Sequence, residues 1–252
     1  MQVDLNSDMG ESFGAWHMGD DRGLLEHVSS ANIACAFHAG DPQTMARTVM
    51  AATARQVAIG AHPSLPDLQG FGRRTMQITE AEAYAITLYQ AGAMQGFARV
   101  AGNPMRHAKA HGALYNMAAQ DARLAAGICR AVRDLDPRLV LFALAGSVMV
   151  EVGRDMGLTV AQEVFADRSY QDDGSLTPRS QPGAMITDLD QSIAQVRRMV
   201  GEGYVRTLSG ADVPIEAHTI CLHGDQPGAA LFARAIRESL EADGVEIRAF
   251  SG

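Results

Sequence analysis

ANIACAFHAGDPQTMARTVMAATARQVAIGAH, residues 31–62, reads as a strand, a helix and a second strand, with a histidine directly after each strand. ANIACAF (31–37) and VAIGA (57–61) are short apolar runs of the length of buried strands. Between them, Asp41-Pro42 is a helix start: the carboxylate caps bare N–H groups, and proline fits the first helical position. The apolar residues of 42–56 then recur at helical spacing. Two strands joined by a helix rather than a tight turn lie parallel in one sheet.

The same unit extends in both directions. Further strand runs are VDLN (3–6), RHAKA (106–110), LVLFALA (139–145), TVAQEVF (159–165) and TICLH (219–223). Helical patterns occupy 80–100, 121–135, 189–201 and 229–243, and Thr79 with Glu82 forms a capping-box pattern before the first of these. RHAKA is the least strand-like run, because none of its residues is β-branched. Seven strand–helix units with no hairpin signal predict the α/β class and a seven-stranded parallel β/α barrel, TIM-like. No linker or repeat divides the chain, so one barrel domain over 1–252 is expected. Segments 62–79 and 166–187 are the two long loops, and long loops in compact domains tend to carry function.

Composition narrows the chemistry. With 47% hydrophobic residues, 252 in all, the chain can bury a large core. Its net charge of −8 argues against a nucleic-acid partner. No apolar stretch approaches the ~20 residues that cross a bilayer, and the acidic opening MQVDLNSDMGE lacks the basic and apolar regions of a secretory signal. Cys35, Cys129 and Cys221 form no CxxC pair, so neither disulfides nor a zinc knuckle is expected, and a cytoplasmic location is. Cys35 and Cys221 read as mid-strand core thiols. Lys109 is the only lysine, so any lysine-dependent step must use it. There is no GxxxxGK[ST], no GxGxxG after the first strand and no GxSxG. Phosphate-loop, dinucleotide and serine-hydrolase sites are therefore not expected.

Reactive residues gather where strands end. Asp8 and Glu11 follow the first strand, His38 and Asp41 the second, His62 the third and His111 the fourth. Asp167 and Arg168 follow the sixth, and His223 and Asp225 the seventh. The C-terminal strand ends are where β/α barrels build their sites. His17, His27, His107 and His218 stand outside the pattern. Each fragment also has a plainer reading. DLNSDMGE could be a capped turn, His62 a hydrogen-bonded structural residue, His223-Gly224-Asp225 a cap for the last helix, Tyr115 and Asn116 packing residues, and Arg73–Arg74 a surface pair. The sharper reading of the arginines is bidentate carboxylate binding. Burial of Lys109 would be costly without a partner, which favours a site role.

DLNSDMGES, CAFHAGDP, GAHPSLPDLQGFGRR, KAHGALYN, EVFADRSYQDDGSLTPR and CLHGD together resemble the LamB/YcsF family, in order and over residues 3–250. Ala110 departs from the pattern, where the family usually has proline before the histidine. The family is assigned as the A subunit of an ATP-dependent 5-oxoprolinase. The resemblance implies a barrel similar to the glycoside hydrolase/deacetylase class, acting as an enzyme that opens the lactam of 5-oxoproline to L-glutamate together with subunits B and C. ATP would be used by the complex, on the partner subunits. For that reaction Asp8, Glu11, Lys109, His111 and Asp225, read from their places at and beside the strand ends, are the catalytic candidates. Asn6, His38, Asp41, Arg73, Arg74, Tyr115, Arg168, Arg179 and His223 are the substrate-binding candidates. Likeness to the deacetylase class further implies a divalent metal on Asp8, His62 and His111. Two other readings stay open: a stand-alone metal-dependent deacetylase or amidohydrolase, and a non-catalytic subunit that presents the lactam.

Overall fold

The computed structural model describes residues 1–224 and 228–252. In chain order the elements are β1 (Gln2–Met9), α1 (Asp21–Leu24), β2 (Ser30–Ala34), α2 (Pro42–Ala54), β3 (Ala58–His62), α3 (Glu80–Val100) and β4 (His107–Lys109). They continue with α4 (Gly112–Ala118), α5 (Ala122–Leu135), β5 (Val140–Leu144), α6 (Val148–Asp155), β6 (Thr159–Phe165) and α7 (Leu189–Arg197). A π-helical turn (Arg198–Glu202), β7 (Tyr204–Arg206), β8 (Asp212–Pro214), β9 (Thr219–His223), α8 (Ala229–Ala242) and β10 (Glu246–Ile247) complete the chain.

Seven parallel strands close a barrel in the order β1-β2-β3-β4-β5-β6-β9, because β1 pairs with β9 as well as with β2. The expected seven-stranded parallel β/α barrel is therefore the observed one. Its helix starts are the ones the sequence marked: Asp41 accepts from the N–H groups of Gln43 and Thr44, and Thr79 and Glu82 form the reciprocal capping box. Outward-facing Leu5, Ile33, Ile59, Leu141 and Ile220 are fully buried in one core with Val49, Met94 and Ile128 from the surrounding helices. Each such side chain contributes about 1.5–3 kcal/mol on leaving water.

The structure corrects the reading at several places. β2 ends at Ala34, so Cys35 lies just beyond the strand, where Ala36 takes a left-handed φ of 79°. A small antiparallel hairpin, β7–β8, does exist on the return from β6 to β9; its turn contains Ser209-Gly210, a signal the sequence carried. RHAKA does form a strand, held between β3 and β5 despite its weak propensity.

The inner wall of the barrel is polar. Strand side chains alternate between faces. Asp4, Asn6 and Asp8 of β1, Ser30 and Asn32 of β2, His107 and Lys109 of β4, Glu163 of β6 and Thr219 of β9 meet inside through mutual hydrogen bonds. His107, outside the strand-end pattern, fills the barrel: its ring stacks on Phe142 and its Nε2 lies 2.8 Å from Asn32. Gly60 faces it across the sheet, and a Cβ there would collide with the imidazole.

Candidate active site

Above the barrel mouth lies a cavity of about 930 Å³, lined by strand ends and both long loops. Asp8, His62, Lys109, His111 and His223 form its floor, and Arg73, Arg168 and Arg179 its walls.

Lys109 ends β4 and is 2% exposed, so its charge survives only if paired. Its ammonium lies 2.8 Å from Asp8 Oδ1, 2.9 Å from Glu163 Oε1 and 3.0 Å from Cys221 Sγ. Burial alone would lower its pKa, but Asp8, Cys221 and Glu163 outweigh burial and hold it well above the usual lysine range. Asp8 answers in kind. Burial would raise its carboxyl, yet His62 and Lys109 keep it well below the ordinary value. Asn32 donates to Asp8 Oδ1 at 2.9 Å and fixes the carboxylate rotamer. Lys109 is thus a permanent ammonium and Asp8 a permanent carboxylate.

Glu163 is the site residue that the strand-end pattern misses. It sits within TVAQEVF, fully buried, and accepts from Asn6 at 3.0 Å and from the Tyr115 hydroxyl at 2.7 Å. Burial, then Glu163, pushes the Tyr115 phenol well above its usual range, and burial does the same to the Cys221 thiol. Both remain protonated hydrogen-bonding groups rather than nucleophiles.

A second grouping lies across the floor. His223 Nδ1 is 2.9 Å from Asp167 Oδ2, and the His223 backbone N–H donates to the same carboxylate at 3.0 Å. Asp167 is fully buried; burial would raise its pKa, but His223 and its hydrogen bonds bring it below the usual value. An ionised acceptor there fixes the proton on Nδ1. Nε2 is left as the acceptor, in the orientation of a base held by a carboxylate. Phe165 stacks on the His223 ring. The sequence reading noted Asp167 but gave it no role.

Around His62 the third grouping gathers. His38, Glu11, His62 and His111 are all buried, and each offers one ligand atom within 4.8 Å of the others. Asp8 Oδ2 is 3.3 Å from His62 Nε2, but Asp8 groups with Cys221 and His223 instead. The candidate metal triad Asp8, His62, His111 is thus divided between two clusters.

Among the substrate-binding candidates, Asn6 lies beneath the floor, bonded to Glu163, Thr219 and Asn32. Arg168 is buried and donates to the carbonyls of Thr177 and Ala184; burial, then Arg179, lowers its pKa to about 10. Arg179 and Tyr115 line the cavity. Arg73 does too, with its guanidinium over Phe71. Four candidates, Asn6, His38, Asp41 and Arg74, are not among the cavity's lining residues, His38 lying behind His111 with its ring stacked on it. Asp41 is spent on capping α2 and on the Gly14 N–H, and Arg74 is an exposed side chain ion-paired with Asp67. Asp225 lies outside the described residues.

The LamB/YcsF family profile matches residues 3–252. A Bordetella pertussis protein, named as a 5-oxoprolinase A subunit, is 63% identical over 247 residues, 98% of each chain. One of the same name from Bacillus subtilis is 54% identical over 250 residues, covering 99% of this chain and 97% of the relative. The crystal structure of a lactam utilization protein from Thermus thermophilus superposes with a TM-score of 0.93 at 48% identity, covering 99% of this chain and all of that one. A match of this length and identity, on the same barrel, settles the kinship: the chain belongs to the LamB/YcsF family.

Proposed function

We propose that this chain is the lactam-opening A subunit of an ATP-dependent 5-oxoprolinase, a hydrolase that acts with subunits B and C to convert 5-oxoproline to L-glutamate. The observation that carries the reading is the 63% identity, over 98% of both chains, to a protein named as a 5-oxoprolinase A subunit. The geometry supplies the chemistry.

A planar lactam resists water because its C–N bond has partial double-bond character. Transfer of a phosphoryl group from ATP to the amide oxygen removes that protection and creates a leaving group. We assign this transfer to the partner subunits, since the chain has no phosphate-loop sequence. Here the substrate carboxylate is held by the cavity arginines, Arg168 foremost. His223 Nε2 accepts a proton from the attacking water as its oxygen bonds to the ring carbonyl carbon. The C=N electron pair passes to the ring nitrogen, and the negative charge of the phosphoryl group on the former amide oxygen, which builds on that oxygen as the group later leaves, falls to the ammonium of Lys109, fixed by Asp8 and Glu163. His223 then returns the proton to the ring nitrogen as the C–N bond breaks. C–N cleavage leaves an acyl phosphate, which a second water attacks to expel phosphate and give the side-chain carboxylate, while the nitrogen becomes the amino group of glutamate. Asp167 keeps the imidazole in the required tautomer throughout. The described helices include none long and apolar enough to cross a membrane, and the three free, buried cysteines support a cytoplasmic setting.

The test is reconstitution of the purified chain with candidate subunits B and C, following glutamate from 5-oxoproline. Release that needs all three chains and ATP is the expected result. Acetate release from an N-acetyl sugar by this chain alone would select the deacetylase reading instead. Unchanged turnover in a His223→Gln, Lys109→Met double variant would select the non-catalytic one.

A further inference from the structure

His62 and His111 meet in a way that two neutral imidazoles do not tolerate. His62 Nδ1 lies 2.8 Å from the backbone oxygen of Lys109, so that nitrogen carries the proton and Nε2 is bare. His111 Nε2 lies 2.8 Å from the backbone oxygen of Phe71, so there Nδ1 is bare. The bare nitrogens face each other at 2.9 Å, lone pair to lone pair. Something positive belongs between them.

We propose that Glu11, His38, His62 and His111 form a divalent-cation site on the barrel floor, a donor set different from the Asp8, His62, His111 triad. Four observations support it, and none depends on the lactam reading. The ligand atoms of the four residues lie within 4.8 Å of one another. Donors bound at ~2.0–2.2 Å to one ion stand roughly 3–4 Å apart, so the site closes when the His62 and His111 nitrogens part slightly and the farther donors move in. His62 and His111 each give their other N–H to a backbone carbonyl, the support that metal-bound imidazoles ordinarily have. The carbonyl used by His111 is presented by Phe71, whose φ of 54° is rare for an aromatic residue, followed by Gly72 at 63°. His38 stacks on His111 at 3.8 Å with its Nε2 3.3 Å from Glu11 Oε1, and its buried Nδ1 has no partner.

Charge points to a dication rather than a shared proton. Lys109 is one ammonium between two carboxylates, Asp8 and Glu163, in a buried setting. Excess negative charge there is costly unless matched. Asp8 has committed Oδ1 to Lys109 and Asn32, its Oδ2 lies 3.3 Å from His62 Nε2, and its own close group is the one with Cys221 and His223. It therefore borders the site without belonging to it. Three imidazoles and one carboxylate suit zinc, cobalt, iron or nickel better than magnesium or calcium.

The experiment uses full-length, untagged protein stripped with a chelator and titrated with Co²⁺ and Zn²⁺. One ion per chain is expected, with a visible Co²⁺ absorption band. Glu11→Gln and His38→Ala should each weaken Zn²⁺ binding tenfold or more, with circular dichroism unchanged. Asp8→Asn should weaken it less than either. Absence of stoichiometric binding tighter than about 100 µM overturns the proposal. So does binding that survives Glu11→Gln and His38→Ala but is lost in Asp8→Asn. Neither readout uses glutamate formation, so failure here leaves the proposed activity to its own test.

Discussion

At the N-terminal end of the strands, Asp4 accepts from the hydroxyls of Ser29, Ser30 and Thr219, and Thr219 accepts in turn from Asn6. Further along the same strand, toward the C-terminal end of the barrel, Asp8 is met by Lys109, Asn32 and His62. Both carboxyls sit on β1, point inward and are almost wholly buried. Their surroundings differ in kind. Neutral hydroxyls enclose Asp4, and burial dominates: its pKa rises to about 6. The His62 imidazole and the Lys109 ammonium flank Asp8, and its pKa falls well below the usual value. Asp4 closes the barrel floor upon itself, whereas Asp8 holds charged groups open to a cavity of about 930 Å³. One strand with one alternation thus carries a structural carboxyl and a functional one, and neighbours rather than residue type decide which is which.

The comparison predicts that changes at the upper end remove activity and changes at the lower end alter stability alone. Lys109→Met is the strongest break. It strands Asp8 and Glu163 without their shared cation, and removing one member of a buried ion cluster costs about 3–5 kcal/mol. Urea denaturation should show that loss, and the reconstituted complex should release no glutamate. A variant destabilised by less than about 1 kcal/mol would show that the ammonium is not what holds this end together.

Asp167→Asn separates orientation from packing. The amide fills the same space but no longer fixes the Nδ1 proton of His223. Turnover should fall by roughly 10²–10⁴-fold. KM for 5-oxoproline should change by only a few-fold, because substrate binding rests on the arginines. A large rise in KM with kcat intact would move His223 from proton transfer to binding. Glu163→Gln is the milder change: it removes the charge, its oxygen can still accept from Asn6, and its amide can only donate toward the Tyr115 oxygen, reversing that bond. Lys109 still faces Asp8, so a loss of about tenfold in turnover is expected.

These residues also mark what the sequence made legible. The barrel, its helix caps and most of the site lay in local signals: Asp41-Pro42, the Thr79–Glu82 box, and histidines or acids at strand ends. Glu163 and Asn32 did not, because each sits inside an otherwise apolar run and was absorbed into the core. Their partners come from afar. Asn6 and Glu163 are 157 residues apart, and only closure of the ring brings them together. A period-two reading picks out Asn32, since Ser30 and Asn32 alternate with Ala31 and Ile33, but not Glu163, whose face also carries Ala161 and Phe165. Asp41 and Arg74 erred the other way. They lie near the motifs, but local bonds to the α2 N-terminus and to Asp67 consume them.

The smallest effect on turnover is expected from Asp4→Asn, and it tests the lower end directly. Burial is the main cause of the raised Asp4 pKa, with the three hydroxyl donors opposing it and Glu163 adding to it. An acid whose folded pKa lies above its ordinary 3.8 binds its proton more tightly in the folded state. Its contribution favours folding fully below pH 3.8 and is lost as pH rises through about 6. Asparagine has no proton to lose, and its amide can donate to Thr219 while its oxygen accepts from Ser29 and Ser30. The stability of Asp4→Asn relative to wild type should therefore rise between pH 4 and pH 7, by up to about 3 kcal/mol for a shift of this size. Denaturation midpoints across that range measure it. Glutamate release per folded molecule should stay within a few-fold of wild type, since Asp4 is separated from the cavity by Asn6 and Thr219. A flat difference across pH would mean that the hydroxyls keep Asp4 ionised, and the two ends of β1 would then differ in partners but not in charge.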